Sequence, residues 1–105
     1  MKRLAAATLL IFGLALPAGA ATTTRKVSVR DDVFVPSSLT VKKGTKVKWI
    51  WKGDAPHDVV VESGPQDFRS DLMEEGRFAR TLRKRGTYRL LCSIHADMKM
   101  TITVK

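Results

Sequence analysis

A single cysteine in 105 residues leaves no internal disulfide available, so packing, a bound group or both must hold the chain together. The chain carries no glycine-rich phosphate loop, no Ser/His/Asp arrangement and no coupled pair of carboxylates, which argues against nucleotide-dependent and hydrolytic chemistry. Acidic groups are scarce, 10 against 19 Lys and Arg, and Asp67, Asp71, Glu74 and Glu75 match no standard calcium loop. Apolar residues at helical spacing are never sustained for three turns, which argues against a helical protein. There is no internal repeat and no low-complexity tract.

The one long apolar run is N-terminal. Lys2 and Arg3 precede Leu4 to Leu16, and Pro17-Ala18-Gly19-Ala20 follows. This pattern predicts a secretory signal peptide over residues 1–20, cleaved after Ala20 or Ala21, the alternative being an uncleaved anchor. Residues 21–105 then form one small domain in the periplasm or an equivalent extracytoplasmic space. An unpaired thiol in an oxidising compartment is a hazard unless something occupies it.

From residue 26 onward the chain alternates with period two. Val27 and Val29 alternate with Lys26, Ser28 and Arg30, and Leu39 and Val41 with Thr40 and Lys42. Beyond Gly44, Val47, Trp49 and Trp51 alternate with Lys46, Lys48 and Lys52. Further strands are expected at Val59 to Val61, Phe78 to Leu82, Thr87 to Leu91 and Thr101 to Val104. Short strands between glycine and proline turns predict an all-β fold, a two-sheet sandwich with Greek-key connections. Glu62 to Gly76 reads as a long loop, with one helical turn expected at Asp71 to Glu75.

Cys92 opens the run Cys92-Ser93-Ile94-His95-Ala96-Asp97-Met98-Lys99-Met100, and His57 lies upstream. Taken singly, each residue has a bland reading: an exposed histidine, or a methionine filling the core. Jointly they supply two imidazoles, one thiolate and a weak thioether. Strand exits at Leu91 and before Val59 would bring them to one end of the sandwich. That donor set suits a mononuclear copper ion in both oxidation states better than zinc.

Three segments then carry a family resemblance over nearly all of residues 21–105. They are Phe34-x-Pro36-x-x-Leu39-x-Val41-x-x-Gly44-x-x-Val47-x-Trp49, Pro56-His57-x-Val59, and Gly86-Thr87-Tyr88-x-x-x-Cys92-x-x-His95-x-x-Met98. Together they resemble the small cupredoxins of the plastocyanin, amicyanin and pseudoazurin group. The resemblance implies one type 1 copper ion with His57, Cys92 and His95 as equatorial ligands. Met98 is the expected axial ligand in the shorter, amicyanin-like spacing, and Met100 is the alternative in the longer one. Asp58 stands where many members have an asparagine that ties the ligand loops together. Ile94 replaces a frequent proline. By the same resemblance, His95 presents its ring edge at the surface as the electron exit.

The net charge is +9, or +7 once Lys2 and Arg3 are removed. Such a balance usually suggests nucleic acid, but export argues against that partner. Lys42, Lys43, Lys46, Lys48, Arg83, Lys84, Arg85 and Arg89 are either solvated sheet faces or a patch that steers an acidic redox partner. The function expected is therefore a soluble, monomeric carrier of single electrons between redox proteins, without a membrane span after cleavage. Copper storage, delivery or sensing is the alternative. An enzyme is disfavoured, because four protein ligands leave no open coordination position.

Overall fold

A computed structural model of the chain describes residues 22–105, and the predicted signal segment lies outside them. Eight strands follow in order: β1 Thr24–Arg30, β2 Val33–Val35, β3 Ser38–Val41, β4 Thr45–Trp51, β5 Val60–Ser63, β6 Arg77–Leu82, β7 Gly86–Cys92 and β8 His95–Val104. No helix occurs among the described residues. One sheet has the order β2-β1-β4-β6 and the other β3-β8-β7-β5. Both are mixed: β1 runs parallel to β4 and β3 parallel to β8, while the remaining pairs are antiparallel. Only β1–β2 and β7–β8 are hairpins within one sheet, and the other connections cross between sheets in Greek-key fashion.

The alternation read from the sequence decides which side chains face inward. In β4, Thr45, Val47, Trp49 and Trp51 are buried, whereas Lys46 and Lys48 point outward. In β7 the inward row is Tyr88, Leu90 and Cys92, and in β8 it is Met98, Met100, Ile102 and Val104. The thiol of Cys92 thus ends a core row, at one pole of the sandwich. Fully burying each large apolar side chain stabilises the fold by about 1.5–3 kcal/mol. Trp49 anchors the middle, with Phe68 at 6.0 Å and Phe78 at 5.8 Å between ring centroids.

Two sequence expectations are corrected. The segment between β5 and β6 forms no helical turn at Asp71 to Glu75, because its backbone is committed elsewhere. It runs back along the edge of β5 through bridges Val60↔Arg69 and His57↔Met73, with Met73 N–H donating to His57 O at 3.0 Å and His57 N–H to Met73 O at 2.9 Å. The last strand starts at His95, well before Thr101. A two-residue turn, Ser93-Ile94, lets pairing begin at Cys92↔His95, so His95 and Met98 belong to a strand and not to a loop. The short strand β2, which the sequence reading did not single out, pairs with β1 across the turn Asp31-Asp32.

Candidate metal centre

Three connections meet at the pole where β1, β4 and β7 end. His57 comes from the β4–β5 connection, Cys92 from the last residue of β7 and His95 from the first of β8. Their donor atoms all lie within 4.8 Å of one another. The Cys92 Sγ is 3.5 Å from His95 Nδ1 and 4.0 Å from His57 Nδ1, and the two Nδ1 atoms are 3.2 Å apart. His57 and Cys92 are fully buried, whereas the His95 side chain is 31% exposed and brings its ring edge to the surface.

The His57 position is fixed from several sides. Its backbone pairs with Met73, and the Trp51 indole Nε1–H donates to its carbonyl at 3.0 Å. Its Nε2 lies 3.1 Å from Asp31 Oδ1, which also accepts the amides of Ala55 at 2.9 Å and Asp54 at 3.0 Å. These donors hold the Asp31 carboxyl below its usual range, with the Ala55 amide contributing most, then the His57 ring, then the Asp54 amide. His95 Nε2 lies 3.3 Å from Asp32 Oδ1.

Asp58, although an acid where many relatives of this group carry an asparagine, ties the His57 and Cys92 segments together. The Ser93 amide donates to Oδ1 at 2.7 Å and the Ser93 hydroxyl to Oδ2 at 2.6 Å, while Arg69 Nη2 donates to Oδ2 at 3.3 Å. Burial pushes this carboxyl upward. The Ser93 hydroxyl and amide, the Cys92 side chain and the Arg69 charge outweigh that push and bring it below the ordinary carboxylate value.

The two methionines occupy different settings. Met100 pairs with Leu90, two residues back from Cys92 along β7, and its sulfur accepts the Trp49 indole Nε1–H at 3.4 Å in the core. Met98 is also buried, but it lines a surface hollow with Asp32, His95, Ala96 and Asp97. The sequence reading missed Asp31, Asp32 and Ser93. Their side chains look like ordinary turn residues, and nothing local signals that Asp31 meets an imidazole 26 positions away.

The donor set fits copper. One thiolate and two imidazoles clustered within 4.8 Å, with a buried thioether nearby in β8, are soft and borderline ligands. Metal bonds of about 2.0–2.3 Å in a trigonal array require donor separations of about 3.5–4 Å, close to those found. Both Nε2 atoms lie near carboxylates, His57 Nε2 in hydrogen-bond contact with Asp31, and both Nδ1 atoms lie on the side of the sulfur.

Fold and site together define a β-sandwich that gathers a Cys and two His at one pole. A family model for the cupredoxin-like domain matches residues 3–104, and the chain belongs to that family. It is 32% identical over 101 residues to plastocyanin from Dryopteris crassirhizoma, covering 76% of this chain and 99% of that protein. The reduced Cu(I) form of an amicyanin variant at pH 4 is similar in structure, with TM-score 0.71 and 25% identity over 81% of this chain and 85% of that one. A copper-containing nitrite reductase from Thermus scotoductus SA-01 has TM-score 0.70 and 28% identity, covering 92% of this chain but only 25% of the reductase.

Proposed function

We propose that this protein carries single electrons between redox proteins at one type 1 copper ion, which His57, Cys92 and His95 would hold with Met98 as the fourth, weaker donor. The observation that carries this reading is the convergence of one sulfur and two imidazole nitrogens within 4.8 Å at one pole of a cupredoxin sandwich. Copper there supplies a one-electron couple between Cu(I) and Cu(II). The chain's contribution is to keep the donors in place whichever state is present. The β7–β8 hairpin fixes Cys92 against His95, and the Met73 and Trp51 hydrogen bonds fix His57, so little rearrangement accompanies electron transfer. The half-exposed His95 edge offers the short path to a partner.

Met98 is preferred to Met100 because the Met100 sulfur is occupied by the Trp49 indole, deeper in the core. The nitrite reductase likeness supports no enzymatic role, since it extends over a quarter of that enzyme alone. The N-terminal charge and apolar pattern supports export to the periplasm with residues 1–20 removed. No helix of the described residues is long and apolar enough to cross a membrane.

The test is to add Cu(II) to the purified protein and record visible and paramagnetic resonance spectra. An intense sulfur-to-copper charge-transfer band with a narrow copper hyperfine splitting is expected. A colourless protein with an ordinary tetragonal Cu(II) signal would overturn the assignment.

A further inference from the structure

The turn between β1 and β2 places two consecutive carboxylates against the two imidazoles. Asp31 Oδ1 takes three donors at once, the amides of Ala55 and Asp54 and the His57 Nε2, at 2.9, 3.0 and 3.1 Å. Asp32 Oδ1 lies 3.3 Å from His95 Nε2. The chain is shaped to permit this. Asp32 adopts φ 65°, a left-handed conformation in which Asp is tolerated better than most residues. A Cβ at Gly53 would collide with the Asp31 carboxylate and backbone, so glycine there leaves the room that Asp31 fills.

We propose that Asp31 is a positioning residue that braces His57 from behind and aims its Nδ1 at Cys92, that Asp32 sets a second negative charge behind His95, and that together they weight the centre toward Cu(II). The inference rests on the copper reading above. Asp31 already accepts two amide protons, so it meets the His57 ring as an acceptor, and the ring proton must sit on Nε2. The Nδ1 lone pair then points into the site, 4.0 Å from the sulfur and 3.2 Å from His95 Nδ1. A carboxylate behind an imidazole also makes the ring a stronger donor, which favours the more highly charged metal ion. The two prongs differ in environment. The His57 side chain is fully buried and Asp31 is 47% exposed, whereas Asp32 is 72% exposed and its partner ring is 31% exposed. Salt therefore screens the Asp32 prong more than the Asp31 prong.

The variants Asp31→Asn, Asp32→Asn and Gly53→Ala test the brace. Asp31→Asn removes the charge but keeps an oxygen for the Ala55 and Asp54 amides, so the fold persists. In the metal-free protein, nitrogen NMR should place the His57 proton on Nε2 in the wild type and a mixture of tautomers in Gly53→Ala. In the copper-loaded protein, Asp31→Asn should weaken Cu(II) relative to Cu(I) about tenfold, a rise in potential of about 59 mV for one electron. Asp32→Asn should shift the same way by less, and molar salt should remove a larger fraction of its shift than of the Asp31→Asn shift. Unchanged potentials in both Asn variants, or a wild-type His57 protonated on Nδ1, would overturn the brace. A wild type that takes up no Cu(II) would overturn the copper reading instead, and the metal-free tautomer would still decide the brace.

Discussion

Asp58 and Ser93 are bound to each other twice, the Ser93 amide at 2.7 Å and its hydroxyl at 2.6 Å, across 35 residues of sequence. Asp58 follows His57, and Ser93 follows Cys92. The pair therefore couples the histidine-bearing connection to the cysteine-bearing strand end, one residue away from each ligand.

Replacing Asp58 with Asn keeps an acceptor for the Ser93 amide while removing a buried negative charge beside the site. The copper potential should rise, on the order of 1 kcal/mol for one charge at an effective dielectric of about 20–40, or about 40 mV for one electron. Protein-film voltammetry measures it, and a fall in potential would contradict the placement of charge. Ser93→Ala should cost about 1–2 kcal/mol of stability in denaturant unfolding, because it withdraws a donor from a buried carboxylate.

Cys92→Ser exchanges the soft sulfur for a hard oxygen at the end of the β7 core row. The intense blue absorption of the Cu(II) form should disappear, while the sheet signature in circular dichroism remains. A variant that stayed blue would remove Cys92 from the ligand set.

The two methionines should separate cleanly. Met98→Leu should alter the paramagnetic resonance spectrum and raise the potential, with little change in folding stability, because the swap conserves volume. Met100→Leu should leave the spectrum unchanged but cost about 1–3 kcal/mol in thermal or denaturant unfolding, since the Trp49 Nε1–H loses its acceptor in the core. The opposite pattern would make Met100 the axial ligand.

Tyr88 is the only tyrosine, and burial pushes its phenol above its usual value of about 10. Its hydroxyl reaches the Lys84 carbonyl at 2.7 Å, in the turn between β6 and β7 at the far pole. A raised folded pKa means that the neutral phenol is favoured by folding. Its contribution is therefore complete below pH of about 10 and is lost as pH rises through the folded value. Ultraviolet titration should show phenolate forming only above about pH 10, and Tyr88→Phe should abolish this part of the alkaline loss of stability.

The alternation at Val27, Val47, Trp49, Leu90 and Ile102 was enough to read the sandwich, because a period of two survives whatever the strands pair with. The candidate donors were legible for a similar reason: Cys92, His95 and Met98 sit close together in sequence and their chemistry is unusual. The helical turn expected at Asp71 to Glu75 failed because local propensity is weak beside the Met73 and His57 backbone pairing, which sequence alone does not reveal. The early start of β8 was likewise hidden, since a two-residue turn at Ser93-Ile94 has none of the usual glycine or asparagine signals.

Residue order by itself determined most of the strands, the inward row that ends at Cys92 and the candidate donors, since each follows from side-chain chemistry and local periodicity. Tertiary structure alone decided that Asp31 and Asp32 stand behind the imidazoles, that Asp58 holds Ser93, and that Trp49 engages Met100 and not Met98. Those pairings join residues far apart in the chain. Their partners are chosen by which strand ends share a pole, a geometric outcome of packing two sheets that no short stretch of sequence encodes.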